Sequence, residues 1–215
     1  MRIFLLRLAD TIIQQKDYLN ELDAACGDGD LGVGMYIGFR NVRKTVEQEE
    51  KDEEDIGALL KATGRSILSS VGGASGALFG TLFMEAGKVT SGKSQIDLKD
   101  ISIMFWASSE RIFQRTGSKL GDKTLIDALE PAARSLREAA QQDLELTQAL
   151  KMAADAARRG AESTKFLIAK QGKARYLGEQ TLGHVDPGAE VTRLIFETLL
   201  ATCQVTNSRE NSQTE

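Results

Sequence analysis

The sequence predicts an all-α protein, and three observations support this prediction. Apolar residues recur at helical spacing along most of the chain, strand-like alternation is scarce, and only two prolines occur among 215 residues. The chain is long enough to bury a sizeable core, and no Pro/Ser-rich linker divides it. We therefore predict a single domain over residues 1–205 and a polar, disordered tail over 206–215.

The apolar stripes identify the helices in order. Ile3, Leu6 and Ile13 mark the first helix, and comparable stripes beginning at Ile56 and Ile101 mark the third and the fifth. An apolar segment after a glycine-rich turn gives the fourth, while Asp186-Pro187 is typical of a helix start and opens the last. About eight helices are expected, near residues 2–19, 31–49, 54–70, 74–90, 97–115, 123–141, 144–170 and 187–203.

Alanine-rich stretches at 132–140 and 149–161 favour a sixth and a seventh helix that pack closely against their neighbours. Pro131 predicts a kink or a break in the sixth. Because the connections are short, antiparallel neighbours are the simplest topology. The expected architecture is therefore an antiparallel eight-helix bundle or closed barrel.

Composition excludes several function classes. The net charge is −4 with both signs interspersed, which argues against a nucleic-acid partner. No apolar segment is long enough to span a membrane, and the N-terminal apolar stretch is too short for a signal peptide. Cys26 and Cys203 lie far apart and are expected to be reduced thiols of a cytoplasmic protein, with Cys26 acting as a small buried apolar residue.

The most informative segment covers residues 22–34, Leu-Asp-Ala-Ala-Cys-Gly-Asp-Gly-Asp-Leu-Gly-Val-Gly. It places Asp23, Asp28 and Asp30 on a glycine-rich joint between two helices, where the carboxylates can converge. Converging carboxylates repel one another, so such a cluster needs a proton or a cation. Oxygen ligands without a nearby His or Cys pair suit Mg²⁺ better than zinc. The alternative is a solvated turn whose aspartates cap a helix.

Three further joints are rich in glycine. Residues 71–76 (Val-Gly-Gly-Ala-Ser-Gly) precede a helix and offer amide groups to an anion, although glycines also permit tight helix packing. In the second joint, 117–124, Asp122 could cap the following helix. The third, 172–188, contains His184, the single histidine of the chain. A P-loop, a Rossmann fingerprint and a Ser-His-Asp constellation are all absent from the sequence.

Four motifs follow one another in these joints: L-D-x-x-x-G-D-G-D, V-G-G-A-S-G, G-D-K-T-x-x-D-A-L-x-P-A and Y-L-G-E-x-x-x-G-H-x-D-P-G. In this order and spacing the chain resembles the L subunit, or L domain, of dihydroxyacetone kinases. The resemblance implies an antiparallel barrel of eight helices with ADP or ATP and two Mg²⁺ ions bound at one end. It also implies phosphoryl transfer by positioning and charge neutralisation, with no protein nucleophile assigned, and a role in glycerol metabolism.

The resemblance also implies binding roles for individual residues of this sequence. Asp23, Asp28 and Asp30 match the magnesium ligands, and the remaining matches concern the nucleotide. They are Leu31, Gly32, Val33 and Gly34 in the turn after the aspartates; Ala74 and Ser75 near the phosphates; Gly117, Thr124 and Leu125 in the nucleotide pocket; Lys173; and Asp186, Pro187 and Gly188 in the closing loop.

Two positions depart from the family pattern. Leu31 stands where the family has a histidine, and Lys173 stands where it has an arginine, which loses the bidentate fork. Both changes fit a subfamily that acts on another small ketose, such as a tetrulose.

The resemblance also implies partners. The ketose is held by a separate K subunit, and in the phosphoenolpyruvate-fed version a phosphohistidine carrier recharges the bound nucleotide. The alternatives are an L subunit of an ATP-dependent kinase and a non-catalytic nucleotide-binding module that contacts a transcriptional regulator. A homodimer is left open.

Overall fold

A computed structural model describes residues 1–48 and 55–211, and of residues 207–211 it describes the backbone alone. Over these ranges the protein is all-helical, which confirms the predicted fold class. Short 3-10 turns occur at Thr164–Phe166 and Ala174–Thr181. The α-helices in the described ranges are α1 (Arg2–Gln14), α2 (Lys16–Cys26), α3 (Leu31–Gln48), α4 (Ile56–Ser70), α5 (Gly73–Val89), α6 (Leu98–Thr116), α7 (Ile126–Gln141), α8 (Leu146–Ser163) and α9 (Pro187–Asn211).

The helices form a closed antiparallel barrel. Each helix from α3 onward packs against the next one, and α9 returns to pack against α1. The contacts run in opposite directions along neighbouring helices: Arg7 of α1 donates to Ala201 O of α9, while Thr11 lies opposite Thr198. With α1 and α2 counted as one bent helix, the barrel has the eight members that the sequence predicts.

The helix predicted near 2–19 is bent at Gln15, and its second part, α2, continues to Cys26, beyond the predicted end. Gln15 has φ −88° and ψ 8°, and its N–H still donates to Thr11 O, so the chain turns without losing that hydrogen bond. The bend lies where α3 approaches the chain closely. A Cβ at Gly32 would lie only 2.0 Å from Lys16 O, so glycine is required at this crossing.

Pro131 does not break α7, which runs through it from Ile126 to Gln141. Because proline has no N–H, the carbonyl oxygen of Asp127 loses its helical partner. This oxygen instead lies against α8 at Gly160, where an added Cβ would be 2.1 Å away. The predicted break is therefore wrong, while the predicted kink stays a prediction, and the unpartnered carbonyl lies in a close contact between the two helices.

Three helix ends also differ from the prediction. The sixth predicted helix begins at Ile126 rather than 123, and the seventh ends at Ser163 rather than 170. The last helix continues to Asn211, beyond the predicted end at 203 and into the predicted tail. The rest of that tail, 212–215, and the predicted helix ends near 49 and 54 lie outside the described residues.

The core fills the barrel with aliphatic and aromatic side chains, and alanines line the contact between α7 and α8. The close alanine packing predicted for these two helices is confirmed. None of the described helices has the length and apolar character that a membrane span requires.

Candidate functional site

The four joints that the sequence analysis singled out lie at the same end of the barrel. In an antiparallel ring alternate connections share one end, and here these are the joints α2–α3, α4–α5, α6–α7 and α8–α9. The last two are directly connected, because Lys170 N donates to Asp122 O at 3.1 Å and Lys170 Nζ to Gly121 O at 2.8 Å.

The three predicted metal ligands converge in the α2–α3 joint. One carboxylate oxygen from each of Asp23, Asp28 and Asp30 lies within 4.8 Å of the other two. Asp23 Oδ2 is held in place by the amides of Asp30 and Leu31, at 3.0 and 3.1 Å. Gly27 leaves room for this carboxylate, since a Cβ there would lie 2.7 Å from Asp23 Oδ1. The helix-capping alternative therefore applies in part to Asp23, while Asp28 and Asp30 project to the exposed side.

The cluster fits a hard cation. The Lys173 ammonium forms an ion pair with Asp28 Oδ2 and lowers the pKa of that carboxyl. Asp28 in turn raises the pKa of Lys173. A cationic group thus already stands beside the carboxylates. The three carboxylates themselves form an all-oxygen donor set, which is the kind of ligand set that Mg²⁺ prefers. Lys173, predicted to contact the nucleotide, is brought directly to the carboxylate cluster.

The turn after the aspartates contributes mainly through its backbone. Gly32 is buried against the α1–α2 bend, and Val33 N donates to Asn20 Oδ1 at 3.0 Å. Leu31 is only 6% exposed and belongs to the hydrophobic core. The Leu31 side chain therefore points into the barrel, while its amide supports Asp23. Gly34 lies in the first turn of α3.

Ala74 and Ser75 lie in the first turn of α5, after Gly72 and after Gly73 with its positive φ of 65°. First-turn amides have no acceptor within their own helix, and the helix dipole favours an anion there. Gly72, Gly73 and Ala74 are exposed, so these amides open toward solvent. Ala74 and Ser75 share the end of the barrel with the aspartates but form no hydrogen bond with them in the described structure.

The α6–α7 joint is organised by Asp127, which sequence reasoning missed. Its buried carboxylate accepts from Gly121 N at 2.6 Å and Thr124 N at 2.8 Å, while Thr124 Oγ1 accepts from Ile126 N. The pattern Thr-x-x-Asp before an apolar run could have revealed this cap. Asp122, considered for that role, instead accepts from Lys119 N, so the prediction for Asp122 was wrong.

Of the predicted pocket residues in the last two joints, the structure brings Leu125 to Gly188 at the start of α9, whereas Gly117 has no described contact there. Gly117 ends α6 with a positive φ of 69°, and Leu125 is buried where Gly188 approaches it, 3.5 Å from a Cβ built at Gly188. Asp186 Oδ2 accepts from Ala189 N at 2.7 Å and caps α9, with Pro187 at the first helical position, as predicted. Burial raises the pKa of Asp186 to about 7.

Cys26 and Cys203 are both free thiols, as expected, and Cys26 is buried. Burial raises the pKa of the Cys26 thiol, which disfavours the thiolate form that a nucleophile needs.

The chain is similar to proteins of one family. The family model described as "DAK2 domain" matches residues 25–201. The PEP-dependent dihydroxyacetone kinase, ADP-binding subunit DhaL of Escherichia coli (strain K12) is 38% identical over 196 residues, covering 91% of this chain and 92% of that protein. The corresponding kinase 2 subunit of Listeria innocua is 38% identical over 191 residues, covering 88% and 87%.

A solved structure shows the same fold. The dihydroxyacetone kinase from C. freundii in complex with AMP-PNP and Mg²⁺ matches with a TM-score of 0.71 and 26% identity, over 94% of this chain and 33% of that one.

Proposed function

The chain belongs to the DAK2 domain family, and from this premise we propose that it is the nucleotide-binding subunit of a dihydroxyacetone-type kinase. The subunit binds ADP or ATP together with two Mg²⁺ ions. It transfers a phosphoryl group from the nucleotide to a small ketose that a separate K subunit holds. The similarity to PEP-dependent kinase subunits favours the version in which a phosphohistidine carrier recharges the nucleotide.

One observation carries the proposal: the three carboxylates converge at the end of the barrel where the glycine-rich first turn of α5 also lies. Carboxylates alone would repel the phosphates of a nucleotide. A divalent cation bound between them reverses that repulsion, and such ions typically bridge nucleotide phosphates in phosphoryl transfer. The arrangement is therefore suited to an ion-bound di- or triphosphate.

Each part of the site has a proposed role. Asp23, Asp28 and Asp30 hold the cations, which when bound neutralise charge on the phosphate oxygens. The amides of Ala74 and Ser75 orient the phosphates, and the turn 31–34 approaches them through its backbone. The pocket for the nucleoside is formed by Gly117, Thr124, Leu125 and the segment 186–188.

Lys173 has two proposed partners. It neutralises Asp28 before the nucleotide arrives and pairs with a phosphate afterwards, because a bound cation takes over the neutralisation of Asp28. A lysine acts here as a point charge rather than as the bidentate fork of an arginine.

Calorimetry of ADP binding, with Mg²⁺ and with EDTA, tests the proposal. Wild type is expected to bind ADP tightly only with Mg²⁺. Asp30→Asn should weaken Mg²⁺-dependent binding by about 30- to 150-fold, since a lost charge-assisted interaction costs about 2–3 kcal/mol. Asp17→Asn is the matched control, because Asp17 is an exposed aspartate of α2 outside the cluster, and it should leave binding unchanged. ADP binding that is insensitive to Mg²⁺ would contradict the proposal.

A second experiment addresses the phosphoryl donor and the acceptor. Wild type mixed with K subunits should phosphorylate dihydroxyacetone or a tetrulose, and Asp30→Asn should not. Retention of ADP through gel filtration would support the phosphoenolpyruvate-fed version, whereas rapid loss would support exchange with ATP. If wild type and mutant are equally inert with every K subunit and ketose tried, a non-catalytic regulatory module becomes the better hypothesis for the function of this chain.

A further inference from the structure

Lys123, in the α6–α7 joint, is a lysine buried where no role in phosphoryl transfer has been assigned to it. It is only 2% exposed, and its backbone is left-handed, with φ of 59°. Lysine is almost never fully buried unless its ammonium group has partners. Its position next to Thr124, a predicted nucleotide-pocket residue, makes those partners informative.

The partners are three main-chain carbonyl oxygens from three different places. Lys123 Nζ donates to Thr164 O at 2.6 Å, to Thr181 O at 2.8 Å and to His184 O at 2.6 Å. An ammonium group has three donors and no acceptor, so these carbonyls use its full capacity. Burial lowers the pKa of Lys123, while the charges of Asp127 and Asp186 counteract that shift.

The three carbonyls belong to one long connection. Thr164 directly follows α8, Thr181 ends the second 3-10 turn, and His184 stands two residues before Asp186. Lys173 lies between the first and second of these points. One buried ammonium therefore joins the connection 164–186, which carries both Lys173 and Asp186, to the α6–α7 joint.

Little apolar burial holds this connection. Phe166 is 83% exposed and Tyr176 is 77% exposed, so the two aromatic rings of the segment contribute almost nothing to a core. Gly172, Gly178 and Gly183 all have positive φ, which only glycine adopts readily. Polar bonds thus determine its position: those of Lys123, the two that Lys170 makes to the α6–α7 joint, and those of the Thr164 and Thr181 side chains.

We propose that Lys123 is a positioning residue of the nucleotide site: through three main-chain carbonyls it holds the 164–186 connection in the conformation that places Lys173 and Asp186 at the nucleotide. This inference rests on the proposed function. The apparent Kd of a ligand rises in inverse proportion to the fraction of time that its site spends in the binding conformation. Loss of the ammonium should therefore weaken ADP binding and expose the amides of the connection by similar factors.

The experiment uses Lys123→Met and Lys123→Gly in the full chain. Glycine suits the left-handed backbone and leaves space for an added amine. Both variants are expected to bind ADP in the presence of Mg²⁺ about tenfold or more weakly than wild type. Hydrogen exchange should accelerate in 164–186 by a comparable factor and stay unchanged in α4 and α5. Propylammonium, but not propanol, should restore ADP affinity to Lys123→Gly.

Leu60→Ala is the control for a purely structural effect. Leu60 is buried in α4, in the half of that helix away from the site, so the variant loses stability without touching the connection. Its ADP affinity should equal that of wild type. If Lys123→Met lost only stability and bound ADP as wild type does, the proposal would be wrong.

The remaining outcomes are also decisive. If neither Lys123 variant folded, with or without propylammonium, Lys123 would be a residue of the fold and the proposal would be overturned. If wild type itself bound no ADP, the proposed function would fail, and the hydrogen exchange of 164–186 alone would decide on Lys123.

Discussion

Gly160 of α8 faces the carbonyl oxygen of Asp127 so closely that no side chain fits between the two helices. A Cβ at Gly160 would lie 2.1 Å from Asp127 O and 2.9 Å from Ala128 Cα. The carbonyl is available for this contact because Pro131 has no N–H to donate to it. Gly160→Ala must therefore push α7 and α8 apart by about 1 Å, because interiors are close-packed and rigid backbone lies on both sides.

Two opposing terms determine the size of the effect. Alanine in place of glycine in a helix gains about 1 kcal/mol, whereas forcing an extra carbon into a packed contact costs about 1–3 kcal/mol, and more against rigid backbone. We expect a net loss of about 1–2 kcal/mol, which lowers the melting temperature by about 2–8 °C in a protein of this size. The displacement should also weaken ADP binding, because the Asp127 carboxylate holds the amides of Gly121 and Thr124.

Urea unfolding followed by circular dichroism measures the first effect, and calorimetry with ADP and Mg²⁺ measures the second. Ala156→Gly, at a buried position one helical turn earlier on α8, is the matched control. It lowers helix propensity by about 1 kcal/mol without approaching Asp127, so stability should fall while ADP affinity is retained. A Gly160→Ala protein as stable as wild type, with unchanged ADP affinity, would refute the close contact and its link to the site.

Two further changes test single side chains. Burial raises the pKa of Asp186 to about 7, so the ionisation of this carboxyl opposes folding. The free energy of unfolding of nucleotide-free wild type, compared with that of Asp186→Asn, should therefore be highest below pH 4. It should fall by roughly 3–4 kcal/mol between pH 4 and pH 7 and then level off, which urea titrations across that range can measure; a flat difference would refute the assigned pKa. Leu31→His introduces the histidine of the family pattern at a position whose side chain is buried in the core. It should destabilise the fold by about 1–3 kcal/mol. The Kd for ADP in the presence of Mg²⁺ should stay within about threefold of the wild-type value. Gain of affinity without loss of stability would mean that residue 31 faces the nucleotide.

Local sequence patterns were sufficient for the barrel and for the convergence of the three carboxylates, because both depend on short-range information. Helical periodicity encodes which side of each helix is buried, and the ring follows from short antiparallel connections. The spacing of Asp23, Asp28 and Asp30 within one joint makes their convergence a local property as well. The bend at Gln15 was not visible in this way, because it accompanies the packing of Gly32 against Lys16, which are distant in sequence.

The same reasoning explains why the end of α8 was misplaced. Helix propensity favours a continuation beyond Ser163, since Lys165, Phe166 and Leu167 are all acceptable helix residues. The chain leaves the helix because Thr164 has partners elsewhere: its hydroxyl accepts from Asp186 N at 2.8 Å, and its carbonyl accepts from Lys123. A continued helix would direct that carbonyl toward an amide four residues ahead and withdraw it from Lys123. The end of α8 is therefore set by residues 41 positions upstream of Thr164 and 22 positions downstream of it, which only the folded barrel brings together.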